Sequence, residues 1–233
     1  MDMRTNPAGG AGQKIINSPP IVLALIAILL AIHLVLVVAG EDWQVQALYL
    51  FGFNPLRWLP NTPIAMEAGS QYWSLLTYAF LHGNWVHVIV NCLWLLVFGT
   101  PVARLGGTWR FLVVCAAGAA GGALATLILH WTQDINLIGA SGAVSGLLAA
   151  SVPILYGAAS PNGYLSPGEM LRSRNALVFM GIWLAITLIT GSADMTAGAF
   201  EGLQIAWEAH IGGFILGLLA FYIVMPRGHH RYS

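Results

Sequence analysis

The sequence predicts an all-α membrane protein, a bundle of six transmembrane helices. Three observations predict it: the composition, a series of apolar windows, and the placement of the basic residues. Of 233 residues, 58% are hydrophobic and only 8% charged, against about 25% charged in soluble domains. Mean hydropathy is +0.74. The net charge is zero, so no basic surface for nucleic acid is expected and the lipid bilayer is the expected surrounding.

Apolar windows able to cross about 30 Å of hydrocarbon fall at about 21–39, 85–103, 110–130, 141–157, 175–191 and 206–225. The first follows Pro19-Pro20, a helix start. It is too long, and too poorly followed by a cleavage-like site, to be a signal peptide. Arg4, Lys14, Arg104, Arg110, Arg172, Arg174, Arg227 and Arg231 fall in the N-terminus, the second-to-third loop, the fourth-to-fifth loop and the C-terminus, and the other loops hold only Arg57. Positive residues face the cytoplasm, which predicts an even number of crossings and both termini inside. Residues 40–84 are too many for a plain connector. Their aromatics, among them Trp43, Trp58, Tyr72 and Trp73, suit short helices at the outer interface. The expected division is a flexible tail at 1–18, a membrane domain at 19–226 and a basic tail at 227–233.

Windows two, four and six then all begin at the outer face. His87 and Asn91 lie early in the second, Ser141 opens the fourth, and His210 lies one turn into the sixth. The fourth has about 17 residues, roughly 25 Å at 1.5 Å per residue. Anchored at the inner surface, it would hold Ser141 several Å below the outer one. The preceding "DINLIGA" would dip into the membrane beside protein or a watery cavity.

Three glycines and two serines crowd "GASGAVSG", residues 139–146. Glycine in a helix interior costs roughly 1 kcal/mol against alanine, so close packing or chemistry must require it. Gly142 and Gly146 form one smooth face, and His210, Gly213 and Gly217 share another. Small residues at this spacing let backbones approach, which would bring the Ser141 hydroxyl to the His210 imidazole. A serine becomes a competent nucleophile when a neighbouring base takes its proton. The free N–H groups at a helix start, including that of Ser141, with His87 and Asn91 at i and i+4, could stabilise an oxyanion. No carboxylate is placed to complete a triad: Glu208 is two residues from His210 and points elsewhere, and Asp194 and Glu201 lie in a loop. The expected constellation is a Ser–His dyad without cofactor or metal.

These residues resemble the rhomboid family of intramembrane serine proteases. Gly139-Ala140-Ser141-Gly142 matches its G-x-S-G motif. His82, His87 and Asn91 match H-x-x-x-x-H-x-x-x-N, and Ala209-His210 with Gly213 matches A-H-x-x-G, all in order over about 71–225. The resemblance implies a rhomboid-like six-helix bundle with a long interfacial first loop. It implies Ser141 as nucleophile, His210 as general base and acid, and an oxyanion site of His87, Asn91 and the Ser141 N–H. It also implies transmembrane protein substrates cut near the outer face, a mobile cap at "GSADMTAGAFEGLQ" and a lateral gate at the fifth span. Three positions depart: the family's Trp-Arg pair is Trp73-Ser74, a glutamate after the second span is missing near Ala103, and the aromatic four residues past the nucleophile is Ser145.

Simpler readings compete at each position. Ser141 alone would be a helix cap beside packing glycines; its convergence with His210, His87 and Asn91 favours the nucleophile. Ser145 has the same hydroxyl, one turn deeper and away from the helix-start N–H groups. His82 is expected to hold the first loop by hydrogen bonds, and a His82/His87 metal site is disfavoured because i+5 spacing splits the faces. His33 and His130 are expected to be bonded within or at the edge of their spans. His229 and His230 belong to the basic tail, Cys92 and Cys115 are core residues, and Gly118 and Gly122 are packing surface. Two other classes of function compete with a protease: a rhomboid-like protein that binds transmembrane helices without cutting them, and a transporter. Retention of both serine and histidine argues against the first, and the absence of an internal repeat against the second. The compact design suggests a prokaryotic plasma membrane with the site facing outward.

Overall fold

Helices make up the fold of the computed structural model, which describes residues 17–59, 69–192 and 206–226. They run as α1 (Pro20–Ala39), α2 (Glu41–Phe51), α3 (Ser70–Thr77), α4 (Trp85–Leu129), α5 (Ser141–Tyr156), α6 (Pro167–Met170), α7 (Arg174–Ser192) and α8 (Trp207–Val224), with short 3-10 turns at Pro55–Trp58 and Tyr78–Phe80. Among the described residues, α1, α4 and α8 are long and apolar enough to cross a membrane, and Ser141–Tyr156 and Arg174–Thr190 are shorter apolar helices. Large apolar side chains stand outward, with Val35, Ile128 and Ile223 each well over half exposed. So much exposed apolar surface suits hydrocarbon and not water. Most of the expected cap (193–204), residues 1–16 of the N-terminal tail and all of 227–233 lie outside the described residues. Asn17 and Ser18 are described, and both are tied to α4: Arg104 donates to the Asn17 carbonyl and the Ser18 and Thr100 hydroxyls are 2.8 Å apart.

The second and third apolar windows are joined differently from expected. No loop separates them; helix continues through Arg104, and Gly107 alone (φ +70) breaks α4 into two arms. A left-handed φ at a sharp turn is what glycine supplies without a Cβ clash. Arg110 closes this corner, donating from Nε to the Val224 carbonyl at 2.9 Å and from Nη1 to the Gly106 carbonyl at 3.1 Å. Between α5 and α7, Ser166 caps α6 reciprocally with Glu169. The Ser166 backbone N–H and hydroxyl hold the Glu169 carboxyl below its ordinary range.

Glycines set how the second arm of α4, α5 and α8 meet. A methyl on Gly213 would lie 2.2 Å from the Gly142 carbonyl oxygen, and one on Gly217 only 2.2 Å from the Gly146 Cα. Backbone therefore touches backbone, which no other residue permits. Because 142 meets 213 and 146 meets 217, α5 and α8 run parallel with their starts at one end. Gly118 lies against Gly146 and Gly122 against Gly142, so this arm of α4 runs the opposite way. The cluster that fills the bundle below includes Leu95, Phe111, Leu147 and Phe221, each buried. Between helices surrounded by lipid, such side chains hold the bundle by close packing and dispersion contacts rather than by removal from water.

Candidate active site

The starts of α4, α5 and α8 lie at the same end of the bundle, and between them they carry His87 and Asn91, Ser141, and His210. Asn84 caps α4, its side-chain oxygen accepting from the His87 N–H at 2.8 Å. That cap places His87 in the first turn and Asn91 one turn further. The His87 ring reaches across to the residues before α5: a methyl on Gly139 would lie 2.6 Å from His87 Nε2. Gly139 is doubly constrained, since its φ is +113. Asn91 is buried and donates one amide hydrogen to the His87 carbonyl at 3.0 Å. An amide nitrogen carries two hydrogens, so a second donor remains.

Ser141 is the first residue of α5, and no side chain caps that start. The N–H groups of its first turn are open as donors, at the positive end of the helix dipole. Ser141 is partly exposed, whereas Ser145, one turn deeper, is only 5% exposed. His210 lies one turn before Gly213, and Gly213 packs on Gly142, the residue after Ser141. That register puts His210 two residues, roughly 3 Å of helical rise, further toward the helix starts than Ser141, on a parallel helix in backbone contact. Among the described residues no hydrogen bond joins the two side chains.

The structure revises the helix-face argument made for His82 and His87. It precedes α4 in a turn, not on a helix face, so i+5 spacing does not separate it from His87; the ring centroids are 5.0 Å apart. His82 Nε2 accepts from the Ala140 N–H at 3.3 Å. It therefore braces the turn that delivers Ser141, where the sequence suggested only an anchor for the first loop. No group of three metal-ligating side chains occurs among the described residues. Glu208 is turned from His210 toward His130, at 3.2 Å, and His130 Nδ1 lies 2.9 Å from Gln133 Oε1. This pairing ties the end of α4 to the start of α8. His33 sets its ring edge-on to Trp85, centroids 4.6 Å apart.

Other residues around the site escaped sequence reasoning. Phe53 and Leu137 exchange backbone hydrogen bonds of 3.1 and 2.8 Å. Next to them Asn54 donates to Asp134 Oδ1 at 2.8 Å and Asn136 Oδ1 at 3.2 Å. The first loop is thereby stitched to the segment leading into Ser141. Arg57 is buried and donates to the Tyr49 carbonyl, an interior guanidinium in a loop that has Ser74 where the family pattern has arginine. Tyr78 is fully buried, and its hydroxyl donates to the Ala119 carbonyl at 2.8 Å. Only a lone tyrosine within an aromatic-rich segment marked it in the sequence.

Comparison with known proteins points to one family. The Rhomboid domain family model matches residues 69–227. A protein named Rhomboid protease GlpG from Serratia proteamaculans is 26% identical over 216 residues, 91% of this chain and 66% of the relative. The protein of that name from Pectobacterium atrosepticum is 26% identical over 204 residues, 86% of this chain and 61% of the relative. The one from Yersinia pestis is 27% identical over 201 residues, with the same coverage of 86% and 61%. The chain thus spans just under two thirds of the length of these relatives.

Proposed function

The chain belongs to the rhomboid family, and on that premise we propose that it is an intramembrane serine endopeptidase acting on transmembrane proteins through a Ser141–His210 dyad. One observation carries this reading: the backbone contacts Gly142–Gly213 and Gly146–Gly217. They hold together two parallel helices, one opening on a hydroxyl and the other carrying an imidazole in its first turn. Partial exposure of Ser141, beside the buried Ser145, supports Ser141 as the group that meets substrate.

In the proposed reaction His210 takes the Ser141 proton as Oγ attacks a peptide carbonyl carbon. The Ser141 N–H, the second Asn91 amide hydrogen and the His87 ring face the developing oxyanion; loss of one such donor typically costs about 10²–10³ in rate. Collapse breaks the C–N bond, and His210 returns the proton to the leaving amine. Water, activated by the same imidazole, then hydrolyses the Ser141 ester. The bundle is read with six crossings, both termini in the cytoplasm and the site near the outer leaflet of a bacterial inner membrane. Gly139 and His82 hold the turn, and Gly146, Gly213 and Gly217 hold the helices. The substrates are transmembrane proteins; no cofactor takes part.

Labelling by a fluorophosphonate probe tests the assignment. Covalent labelling is expected in the wild type and in Ser145→Ala, and lost in Ser141→Ala and His210→Ala. Labelling that persists in Ser141→Ala overturns the nucleophile. An unlabelled but folded wild type that still retains single-pass helices would favour the helix-binding alternative.

A further inference from the structure

Tyr78, which the proposed reaction does not use, meets the segment around the nucleophile at two points. Its backbone carbonyl accepts from the Gly139 N–H at 3.1 Å, two residues before Ser141. Its hydroxyl reaches the other side of the nucleophile: a methyl on Gly142 would lie 2.6 Å from the Tyr78 oxygen. One residue therefore grips both ends of the four-residue segment 139–142. The same oxygen would lie 2.6 Å from a methyl on Gly122, and that methyl would be 3.0 Å from the carbonyl of Ala209, the neighbour of His210. The phenol thus fills a notch that two missing side chains leave where α4, α5 and α8 meet.

The chemistry of the notch selects a tyrosine. Its walls are glycine backbone and its far end is the Ala119 carbonyl, which accepts the phenolic hydrogen at 2.8 Å. A buried hydroxyl needs such a partner, and a buried ring needs apolar surroundings. The ring has them: Phe53 lies 6.4 Å away, and Ala119, Ala123 and Ala209 share its cluster. No side chain of the site is hydrogen-bonded to Tyr78 among the described residues, so its influence on the reaction runs through backbone position.

We propose that Tyr78 is a positioning residue, whose carbonyl and hydroxyl fix the height and rotation of Ser141 relative to His210. The proposal rests on Ser141 being the nucleophile. Misplacing a reacting group by about 1 Å can cost 10²-fold in rate, so a bolt at the backbone of residues 139 and 142 acts on reactivity before it acts on binding.

The test uses the full chain in lipid vesicles and the inactivation constants of a fluorophosphonate probe. Tyr78→Phe keeps the ring and the carbonyl bond to Gly139 and removes only the hydroxyl that meets Ala119 and Gly142; its maximal inactivation rate is expected to fall about tenfold while the half-saturating probe concentration stays within about twofold, the signature of a lost transition-state contribution. Gly142→Ala puts a methyl against the phenol oxygen and should slow inactivation by about 10²-fold. Adding Tyr78→Phe to it removes the obstructing oxygen and should recover about tenfold of that loss, a non-additive pairing expected only of groups in contact. A maximal rate in Tyr78→Phe within about twofold of wild type, or a double variant no faster than Gly142→Ala alone, overturns the proposal. Ser141→Ala runs alongside: probe incorporation there strikes the premise, whereas its loss together with a normal Tyr78→Phe strikes only the role given to Tyr78.

Discussion

Helices α5 and α7 are both apolar and similar in length, yet the bundle holds them in opposite ways. Eleven of the 16 residues of α5 are buried; among the described residues of α7 only Ala176 and Thr187 are. α5 meets α4 and α8 backbone to backbone through glycine. α7 leans on its neighbours through rings, with Trp183 stacked on Phe214 at 4.5 Å and Phe179 edge-on to Tyr156 at 6.3 Å. The difference teaches where precision and movement can each reside. Contacts between backbones leave no rotamer to adjust, so α5 and α8 share one position. A helix resting on side chains can shift as those side chains turn, at the cost of a few dispersion contacts.

The widest gap is expected when glycine is replaced in the tight contact. A methyl on Gly217 would lie 2.2 Å from the Gly146 Cα and 2.8 Å from its carbonyl carbon. Neither atom can move without its helix. Gly217→Leu should therefore cost more than about 4 kcal/mol, the range of severe overpacking, and abolish probe labelling. Thermal unfolding in detergent beside labelling would check both. A variant that melts and labels like wild type would show that α5 and α8 are not locked.

Next in size is the loop seam at the outer end. Asn54 holds Asp134 and Asn136, and its side-chain oxygen also accepts from the Leu56 N–H at 2.9 Å, capping the 3-10 turn. Asn54→Ala removes all three bonds and should cost about 1–3 kcal/mol. Labelling should slow, because the seam steadies the segment that ends at Ser141. Slowing without loss of melting temperature would make the seam a local brace of the site; an unchanged rate would confine rigidity to the glycine contacts.

Trp183→Ala should cost about 0.5–1.5 kcal/mol for the lost stacking, beyond the area uncovered, and leave labelling intact. Melting and labelling measured together separate the two helices. If labelling collapses with this change on α7, the distinction between a locked helix and a leaning one fails.

Much of this division was legible in the sequence, and the unread part has a physical cause. The apolar windows and the glycine spacing at 142/146 and 213/217 depend on neighbours along one helix, where periodicity reports which residues share a face. The Asn54–Asp134 seam joins residues 80 apart, and no local pattern encodes such a partner. Tyr78 was not singled out at all, because its notch is made of absent side chains on other helices. The spacing of His82 and His87 was misread through a local assumption: counting i+5 along a helix that begins only at Trp85 set the two rings apart. The hinge at Gly107 was hidden for the opposite reason, since one left-handed residue can reverse a chain that otherwise reads as loop.

The smallest effect is expected from the same residue type on the leaning helix. Gly181 sits in α7 with nothing within 4 Å of the position its Cβ would take. Gly181→Ala therefore meets no clash. It narrows the conformations open to the unfolded chain, a gain of about 0.4–1 kcal/mol at a compatible site. Set against Gly217→Ala, which brings the same methyl to 2.2 Å from backbone, it isolates contact from propensity, because the chemistry of the change is identical. A slight rise in melting temperature for Gly181→Ala beside a large fall for Gly217→Ala is the expected pair. Similar losses in both would mean that glycine serves α7 as it serves α8, and that the two helices are held alike after all.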